Sequence, residues 1–494
     1  MYKLERSHHL ERLLRAVSLA CIALLVSESA FATKMKPTKD LTLIAKSVVI
    51  TQVTDKAQPD VINKINTSNN TTSLLDLYHQ AVLHDPILAS ALSANQAAQE
   101  IIEQGKALYR PTVNFNAEAN AVKTDIRYLN SNAPPGQSNF ETYKAGIEAS
   151  QPIYRKQNLV QMDQTLTQVS QADKRLHLSQ QDLILRTTQS YFDVLIAQDK
   201  IDLIGTQKTA VLSQLEQAKA NFEVGTATIT DVNEAQARYD LIIAQEIAAV
   251  NEYQIAQRSV QVITGEIPQK LAMVRADIQP YVLTQGMDKW LEVAEQNNLN
   301  IQIQQDALKL SNQEIDRSQA GHLPTLDAVA SVSESYVTGS ASVFSTGNDL
   351  KTGIIGLQLQ IPLYQGGATS SKVRQAVLNK QKAQDDVEIA RRQATLATQS
   401  AYLNLSTTIA QIRALEQALI SSQSQVDSTK LGYEVGVRTS VDVLNAEQQL
   451  FSAKRDLLQA RYNYLVNIIR LKAASGVLAE TDLVEINQQL VLSH

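Results

Sequence analysis

Four short stretches of the chain alternate apolar and polar residues with a period of two. In TVNFNAEANA, Val113, Phe115, Ala117 and Ala119 alternate with Asn114, Asn116, Glu118 and Asn120. In TYKAGIEAS, Tyr143, Ala145, Ile147 and Ala149 alternate with Lys144, Gly146 and Glu148. LDAVASVS and IIGLQLQIP repeat the pattern later, with Val329 the one misplaced apolar residue. Such alternation predicts strands with one apolar and one polar face, here over 111–122, 141–153, 325–337 and 352–363. A half-buried hairpin of a soluble sheet would read the same way, but a transmembrane barrel strand of about 9–11 residues fits these lengths. The polar, turn-rich loops NSNAPPGQSN and TGSASVFSTGND, one inside each strand pair, favour the barrel.

The strands alternate with long stretches free of helix breakers. From Arg155 to Asn221 there is no proline and one glycine, Gly205; from Ala368 to Leu431 there is neither. At 1.5 Å per residue each predicts a helix on the order of 100 Å long. Segments 77–108, 230–263, 290–320 and 440–474 are each roughly half that length. Two half-length helices end to end would match one long helix, which predicts a cylinder. Long helices descend from the strands, and half-helices return to mid-height or run from there back to the strands.

An internal duplication organises all of this. LYHQAVLHDP from Leu77 aligns with WLEVAEQNNL from Trp290, placing Ala81 on Ala294 and Pro111 on Pro324. SQPIY falls on QIPLY, and NFEVGTATITDVNEAQ from Asn221 on GYEVGVRTSVDVLNAE from Gly432. The spacing stays between 210 and 213 residues, and two halves are too few for a solenoid. The layout is a first repeat over 74–265, a linker over 266–289, a second repeat over 290–476 and a tail over 477–494. The linker, the tail and a flexible N-terminal extension, 33–73, would gather at the equator of the cylinder.

The first 32 residues read as a secretory signal: a charged start, the apolar core AVSLACIALLV, and Ala30 and Ala32 as the small-residue cleavage pair. The core is too short to span as an anchor. Cys21 invites a lipoprotein reading, but Ile22 to Val26 continue the apolar core beyond it. The mature chain then has no cysteine, hence no disulfide and no cysteine metal site. Aromatic residues at 5%, with 17 glycines and 11 prolines among 494 residues, favour long helices over a compact enzyme core. A net charge of -5 gives no electrostatic footprint for nucleic acid. The seven histidines are scattered, and no metal motif, P-loop or GxSxG occurs, so no catalytic residue, metal site or cofactor is expected.

Four strands cannot close a membrane barrel, whose smallest members have about eight. Open sheet edges are forbidden in lipid, so copies must assemble around the barrel axis. A dimer would supply eight strands and a filled interior, a trimer twelve and a lumen.

The stretches GHLPTLDAVAS, IPLYQGG and GYEVGVRTSVDVLNAEQQLFSAKRDLLQARYNYL, with their first-half partners, resemble the TolC outer-membrane efflux family over about residues 74–490. The resemblance implies an α+β membrane protein built from duplicated strand-pair and long-helix halves. It implies a homotrimer whose twelve-stranded β-barrel in outer-membrane lipid continues into an α-helical periplasmic tunnel of twelve helices. It also implies a passive exit duct for drugs, toxins or proteins in a Gram-negative bacterium. Its partners would be a periplasmic adaptor (membrane fusion) protein and an inner-membrane pump.

Carried over residue by residue, the resemblance places a closed periplasmic gate on Thr230, Asp231, Tyr433 and Arg438, hydrogen-bonded within and between copies. It places a constriction ring at Asp442, whose symmetry-related carboxylates would attract cations and raise one another's pKa. A second aspartate, known in the family three residues on, is here Asn445, which puts strong cation block in doubt. Converting Asn445 to Asp would be expected to add three acids at the constriction. The turns Val224-Gly225-Thr226 and Val435-Gly436-Val437 match adaptor-contacting helix tips, although tight turn geometry alone accounts for the glycines. A secreted coiled-coil adhesin would want sustained apolar heptads, which strand pairs interrupt here. A secreted enzyme would want a catalytic site.

Overall fold

The computed structural model describes residues 71–127, 129, 136–275, 285–339 and 346–491. The signal segment with Ala30 and Ala32, and the extension up to residue 70, lie outside the described residues. No described helix is long and apolar enough to cross a membrane.

In chain order, α1 (Leu74–His84) and α2 (Pro86–Ala107) lead into β1 (Thr112–Ile126) and β2 (Gly136–Tyr154). The long α3 (Lys156–Glu223), then α4 (Ile229–Thr264) and the short β3 (Met273–Val274) complete the first half. The second half repeats the order with α5 (Met287–Asn297), α6 (Leu299–Gln319), β4 (Thr325–Val337), β5 (Asn348–Gln360), α7 (Ala368–Glu434) and α8 (Ser440–Ala474). α9 (Glu480–Asn487) and β6 (Leu490–Val491) follow.

The four long strands form one antiparallel sheet in the order β1-β2-β4-β5, so β1 and β5 are its edges. Phe115 pairs with Ile147, Ile147 with Val332, and Ala330 with Ile355, which carries an apolar band across all four strands, interrupted on the same face by the Glu334–Lys351 ion pair at 3.3 Å. That face packs against no other element among the described residues, and Ile355 is 91% exposed. Glu118 opposite Lys144, and Glu148 opposite Ser331, belong to the polar face. Tyr143 and Tyr336, ring centroids 6.4 Å apart, mark one end of the apolar band; exposed Tyr154 and Tyr364 mark the other. At this second end Arg155 forks onto Asp327 with bonds of 2.8 and 2.6 Å, tying the start of α3 to β4.

Strand bounds differ from the sequence expectation in three of four cases. β1 and β2 run longer than 111–122 and 141–153, because the tips of the hairpin keep pairing through polar residues such as Lys123 opposite Asn139. β5 begins at Asn348 and stops at Gln360, earlier than 352–363, since Pro362 cannot donate to the ladder. Two of the four half-helices, 77–108 and 290–320, are also interrupted. Asp85 ends α1 and caps α2, accepting from Leu88 N–H at 2.8 Å, and Asn298 does the same between α5 and α6.

α3 and α7, with 68 and 67 residues, run about 100 Å each. α2 and α4 pack along α3, α6 packs along both α3 and α7, and α8 packs along α7. The largest core lies at mid-height, where Leu183, Tyr191, Phe192, Ile412, Leu465 and Leu483 are buried. Here Thr72 bridges to Leu271 and β3 pairs with β6, which brings Thr72, the start of the linker and Leu490–Val491 together. The Tyr191 hydroxyl donates to the Ala272 carbonyl at 2.7 Å, which pins this small sheet to α3.

Asp85 is 2% exposed and accepts both terminal nitrogens of Arg186 at 3.0 Å. Burial pushes its carboxyl up, but the Arg186 fork and the Leu88 N–H outweigh that and hold it below the usual range. A depressed folded pKa contributes stability above the unfolded value and loses it as pH falls through the folded one. Asp85→Asn should therefore cost about 1.5–3 kcal/mol at neutral pH by stripping the charge from this fork, while Asp182 keeps its bond to Arg186 Nε at 2.6 Å. It should also shrink the drop in melting temperature between pH 7 and about pH 3. Circular dichroism melts measure both, and an unaltered pH dependence would place the acid-sensitive group elsewhere.

Candidate functional site at the helix tips

Two helical hairpins end at the pole opposite the sheet. α3 closes on Glu223 and α4 opens at Ile229; α7 closes on Glu434 and α8 opens at Ser440. Each turn passes through a glycine of positive φ, Gly225 at 77° and Gly436 at 78°, a conformation that costs other residues about 1–2 kcal/mol. In both turns an amide three residues beyond the helix reaches back: Thr226 N–H to the Asn221 carbonyl at 2.8 Å, and Val437 N–H to the Gly432 carbonyl at 2.9 Å. Val224, Val435 and Val437 are 74%, 64% and 75% exposed, so each tip presents apolar side chains to solvent. Thr226 and Gly225 are exposed beside them.

The next helix starts with a capping box in both hairpins. The Thr228 amide and hydroxyl donate to Asp231 Oδ2 at 2.9 and 2.7 Å, while Asp231 N–H donates to Thr228 Oγ1 at 3.2 Å. Thr439 and Asp442 repeat this at 2.9, 3.0 and 3.2 Å. The Thr228 hydroxyl and amide hold the Asp231 carboxyl below its ordinary range, with help from Ser440. The Thr439 amide and hydroxyl do the same for Asp442, aided by the nearby charge of Arg438. Within one copy, then, Asp442 is biased toward its charged form, the opposite of the rise expected from ring repulsion. The spacing Thr-x-x-Asp was visible in the sequence as a capping signature.

The hairpins are tied to each other through residues the sequence did not single out. Asn221 Nδ2 donates to Tyr433 Oη at 3.2 Å, and Ser440 Oγ donates to Asp231 Oδ1 at 3.0 Å. Tyr433 and Asp231 therefore do link the hairpins, but through Asn221 and Ser440 and not through each other. The exposed Thr230 side chain has no hydrogen-bond partner among the described residues. Arg438 packs its stem over Gly432, where an added Cβ would lie 2.7 Å from its Cγ. Its guanidinium donates to no side chain among the described residues.

Two further ties lie deeper. Arg238 of α4 donates to Asn445 Oδ1 and Gln448 Oε1 of α8, both at 2.6 Å. Glu447, 5% exposed, accepts from Gln214 at 2.6 Å and pairs with Lys430 at 2.8 Å, joining α3, α7 and α8. Gln214, Tyr433, Ser440 and Glu447 line a cavity of about 290 Å³ between the hairpins. No group of three or more metal-ligating side chains is placed to hold a metal ion among the described residues.

Comparisons with known proteins agree with this architecture. The outer membrane efflux protein family matches residues 77–266 and again 290–477, one match in each half. The chain is 33% identical over 421 residues to the outer membrane protein TolC of Vibrio cholerae, covering 85% of this chain and 94% of that protein. It is 29% identical over 422 residues to the proteases secretion protein PrtF of Dickeya chrysanthemi, covering 84% of this chain and 90% of that one. Among solved structures, the Campylobacter jejuni CmeC outer membrane channel superimposes with a TM-score of 0.70 at 16% identity, over 85% of this chain and 90% of that one.

Proposed function

The chain belongs to the outer membrane efflux protein family, and on that premise we propose that three copies form a passive exit duct through the outer membrane. The observation that carries the reading is a four-stranded sheet with one apolar and one polar face and two open edges, continuous with helices of about 100 Å. Open edges in lipid require pairing between copies, and three copies give twelve strands around a water-filled lumen. The exposed apolar face then meets lipid, while Glu118, Lys144 and Glu148 face the lumen. The helices continue the lumen across the periplasm.

The duct serves efflux and type I secretion, carrying drugs, toxins or proteins that an inner-membrane pump delivers. It supplies a path and no chemistry, and it needs no cofactor. The exposed valines beside Gly225 and Gly436 are the docking surface for a periplasmic adaptor, whose apolar side chains would cover them. Tyr433, Asp231, Thr230 and Arg438 hold the periplasmic end closed, and Asp442 forms the narrowest ring. Arg438 and Thr230, which make no side-chain hydrogen bond among the described residues of their own copy, reach the neighbouring copy in this scheme.

The strand orientation is directly testable. The stretches LNSNAPPGQSNF and VTGSASVFSTGND face the cell exterior, because barrel strands carry their longer loops there. An epitope inserted at Gly136 or Gly347 should bind antibody on intact cells. Labelling only after the outer membrane is broken would reverse the topology.

A further inference from the structure

Arg238 occupies an unusual position beside the proposed constriction. Its Nη1 donates to Gln448 Oε1 and its Nη2 to Asn445 Oδ1, each at 2.6 Å, so one guanidinium spans two amide oxygens on the same face of α8. A planar fork suits two fixed acceptors in a way that a lysine does not. Neither acceptor carries charge. The one carboxylate within 4 Å among the described residues is Glu234 on its own helix, 3.8 Å from Nη2. Nε is shut off from solvent without an acceptor, so the side chain is held by its two terminal nitrogens. A full positive charge is thereby fixed against Asn445, one helical turn beyond Asp442.

We propose that Arg238 is a positioning and selectivity-determining residue of the closed end: it ties α4 to α8 in each copy, and its charge sets the cation affinity of the layer next to Asp442. The tie rests on the contacts alone; the effect on cations also rests on Asp442 facing the lumen. One consequence corrects the simple expectation for position 445. An aspartate there would place its oxygen where Asn445 Oδ1 now meets the guanidinium. It would form an ion pair, not a free acid, and would not sharpen cation block while Arg238 remains.

Four variants of the full-length trimer, recorded in planar bilayers with La3+ as the blocking ion, test this. Arg238→Met should raise conductance about twofold or more and lower the half-blocking La3+ concentration about fivefold, by removing a tie and a positive charge. Asn445→Asp alone should leave block within about twofold of the parent, while Arg238→Met with Asn445→Asp should sharpen it about tenfold or more. Arg238→Lys separates the two roles: it should open the channel, since a point charge cannot span both amides, yet leave block as in the parent. Asn445→Asp blocking as sharply as the double variant would overturn the charge role. Unchanged conductance in both Arg238→Met and Arg238→Lys would overturn the tie. Asp442→Ala serves as the separate check on the lumen reading. Unaltered block in that variant would remove Asp442 from the constriction and leave the tie standing on its own conductance data.

Discussion

Replacing Tyr433 by Phe and Arg438 by Ser together should raise single-channel conductance several-fold. Tyr433 Oη accepts from Asn221 across the hairpins, and Phe removes that acceptor while keeping the ring. Arg438 is exposed and donates to no side chain of its own copy among the described residues, so its charge is available to a neighbouring copy. A neutral hydrogen bond contributes about 0.5–1.5 kcal/mol and a charged one about 1.5–3. Repeated three times around the axis, the two losses amount to about 6 kcal/mol or more. Inverting a closed-to-open ratio of 99 to 1 takes about 5.5 kcal/mol, so the double variant should sit largely open. Single replacements should fall between. Planar-bilayer recording reads this directly, and parent-like conductance in the double variant would mean that other contacts close the end.

The second large effect is structural. Gly476 follows α8 at φ 77°, and a Cβ there would lie 2.4 Å from the Asn297 carbonyl oxygen and 2.7 Å from Asn298 Cα. Both are backbone atoms of the α5–α6 joint, which Asn298 also fastens by donating to the Ala474 carbonyl at 2.9 Å. Gly476→Ala must therefore bear the left-handed penalty of about 1–2 kcal/mol and force the joint apart, for a further 1–3 or so. Gly436→Ala meets nothing within 4 Å and should bear the first cost alone. Thermal unfolding of the purified trimer should show Gly476→Ala strongly destabilised or unassembled and Gly436→Ala only mildly destabilised. Equal melting shifts would show that the mid-height joint yields more easily than its geometry suggests.

What the sequence made legible follows from how strongly each environment constrains its residues. Lipid on one face and water on the other force alternation, so all four strands could be read from Val113, Ile147, Ala330 and Leu357 and their neighbours. Long helices could be read because proline is missing from them and each holds a single glycine, Gly205 and Gly432. The breaks at Asp85 and Asn298 were hidden, because each residue closes one helix while capping the next and the pattern resumes at once. At the tips, Tyr433, Asp231 and Asp442 stood out by motif, whereas Asn221, Ser440 and Arg238 did not. Their roles depend on how two hairpins lie side by side, and one more polar residue on a Gln- and Asn-rich helix carries no signal of that register.

The architecture rests on pairing between the β1 and β5 edges of separate copies, and cysteine trapping measures it most directly. Ile147 faces Val332 inside the sheet. The repeat spacing of 210 residues near Pro152 and 213 near Pro111 carries that pair to Leu357 and Ala119 of the next copy. Within one copy those strands lie at opposite edges of the sheet, and the only natural cysteine is Cys21 in the signal segment. Ala119→Cys with Leu357→Cys, oxidised in outer membranes, should give a covalent ladder that ends at three chains. A ladder ending at two chains, or none at all, would contradict the twelve-stranded duct.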